Sequence, residues 1–151
     1  MTGADIARAV LDANSYMTLA TADEAGTPWA SPVWFATADY RELYWVSAPS
    51  ARHSRNLAVR PELSIVVFDS TVQPNTGQAV YLVGTAGQVP EPEIERGLAV
   101  FSGVSVRSGL AEWGPERVTG DARLRLYRAT VSEHYILDPD ATTDTRIEVR
   151  P

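Results

Sequence analysis

The sequence predicts a mainly β protein (α+β), with about six antiparallel strands closed into a barrel and short helices set between them. Two features of the chain point that way. Short runs rich in aromatic and β-branched residues recur along the 151 residues, separated by turn-forming Gly, Pro, Asn and Asp. Only three stretches carry helical character, and they are scattered, whereas a parallel βαβ array would interleave a helix with every strand. At this length the chain forms one domain, residues 1–151, large enough to bury a substantial core.

Taken in order, Ile6, Ala9, Val10 and Ala13 fall at helical spacing with Asp5 in the first turn, so a helix is expected from Ala4 to Ala13. A strand follows over Tyr16 to Ala22, then a turn from Asp23 to Thr27 and a second strand from Pro28 to Ala36. Pro32 cannot donate to a ladder and marks an edge or a bulge. The third strand runs from Glu42 to Val46, where Pro49 ends the ladder and Ser50 is placed to cap a short helix. Pro61 stops that helix near Arg60. Leu63 to Phe68 is nearly continuous apolar sequence, as in a buried central strand. Asp69 to Gly77 reads as a loop, and Gln78 to Val89 as a long strand bent at Gly84 and Gly87. Pro92 among acids opens a helix from Glu91 to about Ser102. Ser105 to Gly120 reads as irregular, Leu124 to Leu137 as a long strand, and Arg146 to Val149 as a short one.

Composition removes several classes of function. With no cysteine there are no disulfides, thiolate metal sites or thiol catalysis. A net charge of -6 and a pI near 4.8 argue against nucleic acid as a partner. The first residues have neither a basic flank nor a long apolar run, and no stretch reaches the roughly 20 apolar residues of a membrane helix. The expectation is a soluble cytoplasmic protein. His53 and His134 are the only histidines, neither at metal-ligand spacing from a second ligand, and His134 reads as a packed or half-exposed strand residue. No nucleophile elbow of the G-x-S-x-G type occurs, and Gly84 to Gly87 is too short for a dinucleotide fingerprint. Trp29, Trp34, Trp45 and Trp113 read as core fillers or ring stackers, Trp113 as a cleft-lining residue.

One stretch carries chemistry. From Leu43 to Pro61 there is no acid, yet there are three arginines, Arg52, Arg55 and Arg60, and one histidine, His53. In an acidic protein this is an island of positive charge at a helix start, where free amides, helix dipole and guanidinium forks suit a phosphate group. The competing reading is a solvated helix face whose arginines meet surface acids.

The run Val46-Ser47, then Arg52-His53 and Arg55-Asn56-Leu57, resembles the flavin-phosphate segment of the pyridoxamine 5'-phosphate oxidase-like family of FMN-binding split barrels. In that family a hydroxyl residue ends the strand and an Arg-Lys pair opens the helix. Here the second cation is His53, a group that titrates near neutrality, so phosphate affinity is expected to depend on pH. The resemblance spans about Tyr16 to Leu137 and implies a split β-barrel that forms a homodimer with two flavins in the shared cleft. Gln78 matches the family's glutamine near the flavin, and Ser31, Pro32, Val33 and Trp34 match the stretch that lies along the ring. Trp34 or Phe35 stands where the oxidase keeps a basic residue for substrate phosphate, and the oxidase's C-terminal Trp and Arg have no counterpart. Both departures argue against pyridoxamine phosphate as substrate. The expected activity is that of an FMN-dependent oxidoreductase acting on a small molecule. An F420-dependent oxidoreductase and a non-catalytic flavin-binding or storage protein stand as alternatives on the same fold.

Overall fold

Thr2 begins the regular structure of the computed structural model, which describes residues 1–151. Its hydroxyl accepts the Asp5 N–H at 3.1 Å and the Asp5 carboxylate accepts the Thr2 N–H at 2.8 Å, a reciprocal cap for helix α1 (Gly3–Ala13). The buried face of α1 is centred on Ala7 and Leu11, with Ile6 and Val10 at its margins. Ala9 and Ala13, expected on that face, point to solvent. Leucine brings far more apolar area than alanine, so Leu11 sets the rotation of the helix.

The strands are β1 (Tyr16–Ala22), β2 (Pro28–Trp34), β3 (Ala36–Thr37), β4 (Glu42–Ser47), β5 (Glu62–Phe68), β6 (Ala79–Gln88), β7 (Arg125–Leu137) and β8 (Arg146–Val149). They form one antiparallel sheet in the order β2-β1-β5-β6-β7-β4-β3, with β8 added on β7. The two ends of that order, β2 and β3, are separated in the chain by Phe35 alone. The sheet therefore curls until its ends meet, which is a split barrel, with no ladder across the seam. Phe35 makes the break: its side chain is buried and its N–H donates to Ser15 O at 3.1 Å. That turn frees Ala36 and Thr37 to pair with β4 and raises the strand count above the sequence expectation. Pro32 lies, as its chemistry requires, on the edge strand.

Inside the curl, Met17, Leu19, Leu43, Trp45, Ile65, Leu82, Tyr127 and Ile136 make the main core, with Trp45 stacked on Tyr127 at 5.7 Å. A second core lies beneath helix α3 (Glu91–Arg107), where Leu98 and Phe101 meet Tyr44, Val118 and Leu126. Arg128 fixes α3 to β7 through Glu93 at 2.9 Å, and Arg96 reaches Glu42 on β4 at 3.0 Å. The helix outruns its expected end by a turn and more. Gly103 is an interior residue, and the glycine that ends the helix is Gly109, with φ +78°, reached through a Ser108 cap.

β5 also departs from expectation. Leu63, Ile65 and Val67 are buried, but Ser64 and Phe68 are exposed, so only one face of the strand is covered in the monomer. Between Val83 and Gly84 the β6–β7 register slips by a bulge. A side chain at Gly84 would run into the Thr130 carbonyl, which is why glycine stands there. No helix is long and apolar enough to cross a membrane.

Candidate functional site

The acid-free stretch folds as the end of β4, a turn, and helix α2 (Arg52–Val59). Ala51 N–H bonds Ala48 O in that turn, which puts Ser50 one residue too early to cap; Ala51 is the N-cap and offers no side-chain acceptor. Arg55 is the first residue of α2 whose amide reaches a carbonyl, Ala51 O at 3.0 Å. The amides of Arg52, His53 and Ser54 precede it and are left open, a concentration of donors at the positive end of the helix dipole. Ser54 adds a buried hydroxyl with no hydrogen-bond partner.

The side chains of α2 divide by face. His53 turns inward, is 8% exposed, and its Nε2 lies 2.8 Å from the Ser47 hydroxyl at the end of β4. Burial pushes the imidazole below its ordinary pKa and favours the neutral ring. The ring that stands in place of the family's second cation thus turns in to Ser47 in the free protein. Arg52, Asn56 and Arg60 follow one another at helical spacing along the β1–β2 hairpin. The Arg52 guanidinium sits 4.2 Å from the centre of the Trp29 ring, Asn56 donates to Thr21 Oγ1 at 3.1 Å, and Arg60 donates to Asp23 O and Glu24 O, both at 3.2 Å. Arg55 folds back on the turn and donates to Ser50 O at 2.8 Å. None of the protein's ion pairs involves an arginine of α2. The reading of α2 as a face neutralised by surface acids is not what the structure shows.

The other residues singled out by sequence lie around this group or apart from it. Val46 is half-buried and packs toward the second core. Ser31, Pro32, Val33 and Trp34 lie on β2, whose only ladder partner is β1, so its other edge is open. Val33 is buried, Pro32 is exposed, and Trp34 meets Phe101 edge-on at 5.1 Å. Gln78 is not brought into contact with the α2 group. Its Nε2 donates to Leu137 O at 2.9 Å, and its Oε1 accepts the Leu137 and Ala79 amides at 2.8 and 3.0 Å, closing the end of the β6–β7 ladder. One Nε2 proton is left over for another acceptor. Trp113 packs edge-on against Phe101, with Arg117 over its ring at 3.4 Å. Of the packed and half-exposed readings of His134 the structure has the packed one, with Nε2 2.6 Å from Tyr40 O. Sequence reasoning missed Trp29, Thr21 and Asn56 as the seating of α2. The signal was available in Asn56, a poor helix former held in a helix interior, four residues from an arginine on each side.

The largest concavity, about 730 Å³, lies elsewhere, on the outer face of the sheet among Ala20, Ser64, Val83, Thr85, Ser132 and Arg41. Exposed apolar residues share that face, including Tyr16, Phe68 and Val83.

A curled antiparallel sheet with a basic helix start at the end of β4 defines an oxidase-type split barrel. The profile of the pyridoxamine 5'-phosphate oxidase family matches residues 4–138, and the chain belongs to that family. No curated protein matches the sequence. Among solved structures, a heme binding protein from Mycobacterium smegmatis is similar with a TM-score of 0.74 at 20% identity, over 99% of this chain and 58% of that protein. The chain thus spans little more than half the length of that relative. A FAD-binding protein from Mesorhizobium loti is similar with a TM-score of 0.68 at 22% identity, over 89% of this chain and 94% of that one. An F420 reductase is similar with a TM-score of 0.60 at 21% identity, over 85% of this chain and 94% of that one. At these identities the likeness is one of fold.

Proposed function

We propose that this protein is an FMN-dependent oxidoreductase that works as a homodimer. The observation that carries the reading is the start of α2: three open amides and two arginines, Arg52 and Arg55, with no carboxylate paired to either. An arrangement of this kind favours a terminal phosphate, which carries up to two negative charges and three strong acceptors. Arg52 and the amides of Arg52, His53 and Ser54 hold the phosphate, with Arg55 beside them. His53, neutral and bonded to Ser47, orients the hydroxyl at the end of β4 and excludes water beneath the helix. The open edge of β2, at Ser31 to Trp34, supplies main-chain groups for the ring, and Gln78 offers its remaining amide proton.

When bound, the flavin supplies the electron or hydride transfer, and the chain binds and orients it. F420, which an enzyme of similar fold uses, is the second reading. It presents a phosphodiester with a single charge, so the paired arginines and amides favour FMN. The exposed Tyr16, Phe68 and Val83 on the outer sheet face support the dimer, since a monomer seldom leaves such a face to water. Trp34 or Phe35, where the namesake oxidase keeps a basic residue, supports a substrate other than pyridoxamine phosphate.

Flavin fluorescence titration tests the reading. Quenching that saturates at one FMN per chain, in a species of dimer mass, is expected; FMN that stays fluorescent at a hundredfold excess of protein would overturn it.

A further inference from the structure

Resting on the phosphate reading of α2, we infer that Trp29 is the residue that positions Arg52 as the phosphate anchor and so sets the preference for a phosphorylated flavin. The three arginines on and just after α2 are held in different ways. Arg55 uses a guanidinium N–H on Ser50 O, and Arg60 uses two on the hairpin turn at Asp23 O and Glu24 O. Arg52 is held with no hydrogen bond from its guanidinium to the protein: its only partner is the face of Trp29 at 4.2 Å. A guanidinium has five N–H donors around its edge, and stacking on a ring engages its face and leaves that edge free. Arg52 is thus immobilised and yet keeps its full donor capacity at the open amides of the helix start.

The sequence explains why the ring is there. Trp29 stands opposite Thr21 in the β1–β2 register, and Thr21 accepts from Asn56 one helical turn beyond Arg52. The Asn56 contact fixes the height of α2 on the hairpin, and that height brings Arg52 over the indole. Trp29 itself remains 41% exposed, in keeping with a residue that supports a binding group at the surface. A flexible arginine loses rotamer freedom when it grips a phosphate, and the stack removes that loss before the ligand arrives. The phosphate gains affinity; the rest of the flavin does not.

The experiment compares FMN and riboflavin affinities by equilibrium titration in wild type, Trp29→Leu, Trp29→Phe and Thr21→Val. Cation–π attraction and side-chain ordering together predict a two- to tenfold weakening, to order of magnitude, for FMN in Trp29→Leu. Riboflavin affinity should be unchanged, and Trp29→Phe should restore most of the FMN preference. Thr21→Val removes the acceptor that sets the height of α2, and should weaken FMN in the same direction as Trp29→Leu while leaving riboflavin unchanged. An FMN-to-riboflavin ratio in Trp29→Leu equal to that of wild type overturns the inference, as does an equal loss for both ligands. A ligand-free reading separates this from the flavin proposal. Ring-current displacement of the Arg52 Nε–H resonance, abolished in Trp29→Leu and kept when FMN is added, shows the stack in solution. If the displacement is present but wild type binds neither flavin, the flavin proposal fails and Trp29 is a structural clip; if it is absent, the positioning role fails by itself.

Discussion

Replacing Arg52, Arg55 and Arg60 in turn should produce a ranking, not a common loss. Arg52→Ala removes a guanidinium whose donors are all free, beside three open amides. Charge-assisted hydrogen bonds contribute about 1.5–3 kcal/mol each, so FMN affinity should fall about ten- to hundredfold. Arg55→Ala removes a cation already engaged with Ser50 O and should cost less. Arg60 lies eight residues from Arg52, about 12 Å along a helix axis at 1.5 Å per residue. That exceeds the Debye length of roughly 8 Å at physiological ionic strength, and its donors are held by the hairpin, so Arg60→Ala should leave FMN affinity nearly unchanged. Riboflavin, which has no phosphate, is the control: its affinity should be insensitive to all three changes. Isothermal titration of both flavins at fixed salt reads the ranking. An Arg60→Ala loss as large as that of Arg52→Ala would refute a localised anchor, and equal losses for both flavins would show that the helix had been disturbed.

Other outcomes follow from the same structure. His53 is held neutral by burial, so its folded pKa lies below the unfolded value of about 6.5. Its contribution to stability is complete above that value and is lost as pH falls through the folded pKa; denaturant melts from pH 7.5 down to 5 should show a shallower decline in His53→Gln than in wild type. Gly84→Ala drives a methyl group into the Thr130 carbonyl and should cost about 1–3 kcal/mol in a urea melt, with the FMN-to-riboflavin affinity ratio unaltered. Light scattering at micromolar concentration should give twice the 16.4 kDa chain mass, and a polar substitution such as Phe68→Glu on the exposed face should lower it.

Much of the fold was legible because it is locally encoded. The bounds of β1 and β8 coincide with the expected ones, since turn residues flank both. Pro32 announced an edge or a bulge and lies on the edge, and Gly84 announced a bend that the structure realises as a bulge. The errors arose where tertiary contacts decide. The helix from Glu91 is expected to end near Ser102, but Leu98 and Phe101 anchor α3 firmly enough to carry it through Gly103 to Arg107. The apolar run at β5 looked buried on both sides because sequence cannot tell a face covered within the chain from one left open.

The site divides in the same manner. Ser47, Arg52 and His53 are close in sequence, and their grouping at a strand end and helix start could be read from the chain. The direction of each side chain could not. His53 turns in to Ser47, and Arg52 lies on Trp29, a residue from a distant strand whose approach depends on the whole β1–β2–α2 arrangement. Gln78 is placed at the flavin by resemblance alone, and its sequence position could not show that two of its three hydrogen bonds close the ladder against Leu137.

The central claim is that the start of α2 selects a flavin with a terminal phosphate. Dialysis of the purified protein against an equimolar mixture of FMN, riboflavin, F420 and heme, followed by the absorption spectrum and mass spectrometry of what is retained, tests it directly. The account predicts that FMN is retained at one per chain while riboflavin and heme are washed out; retention of heme or F420 with no FMN would contradict it.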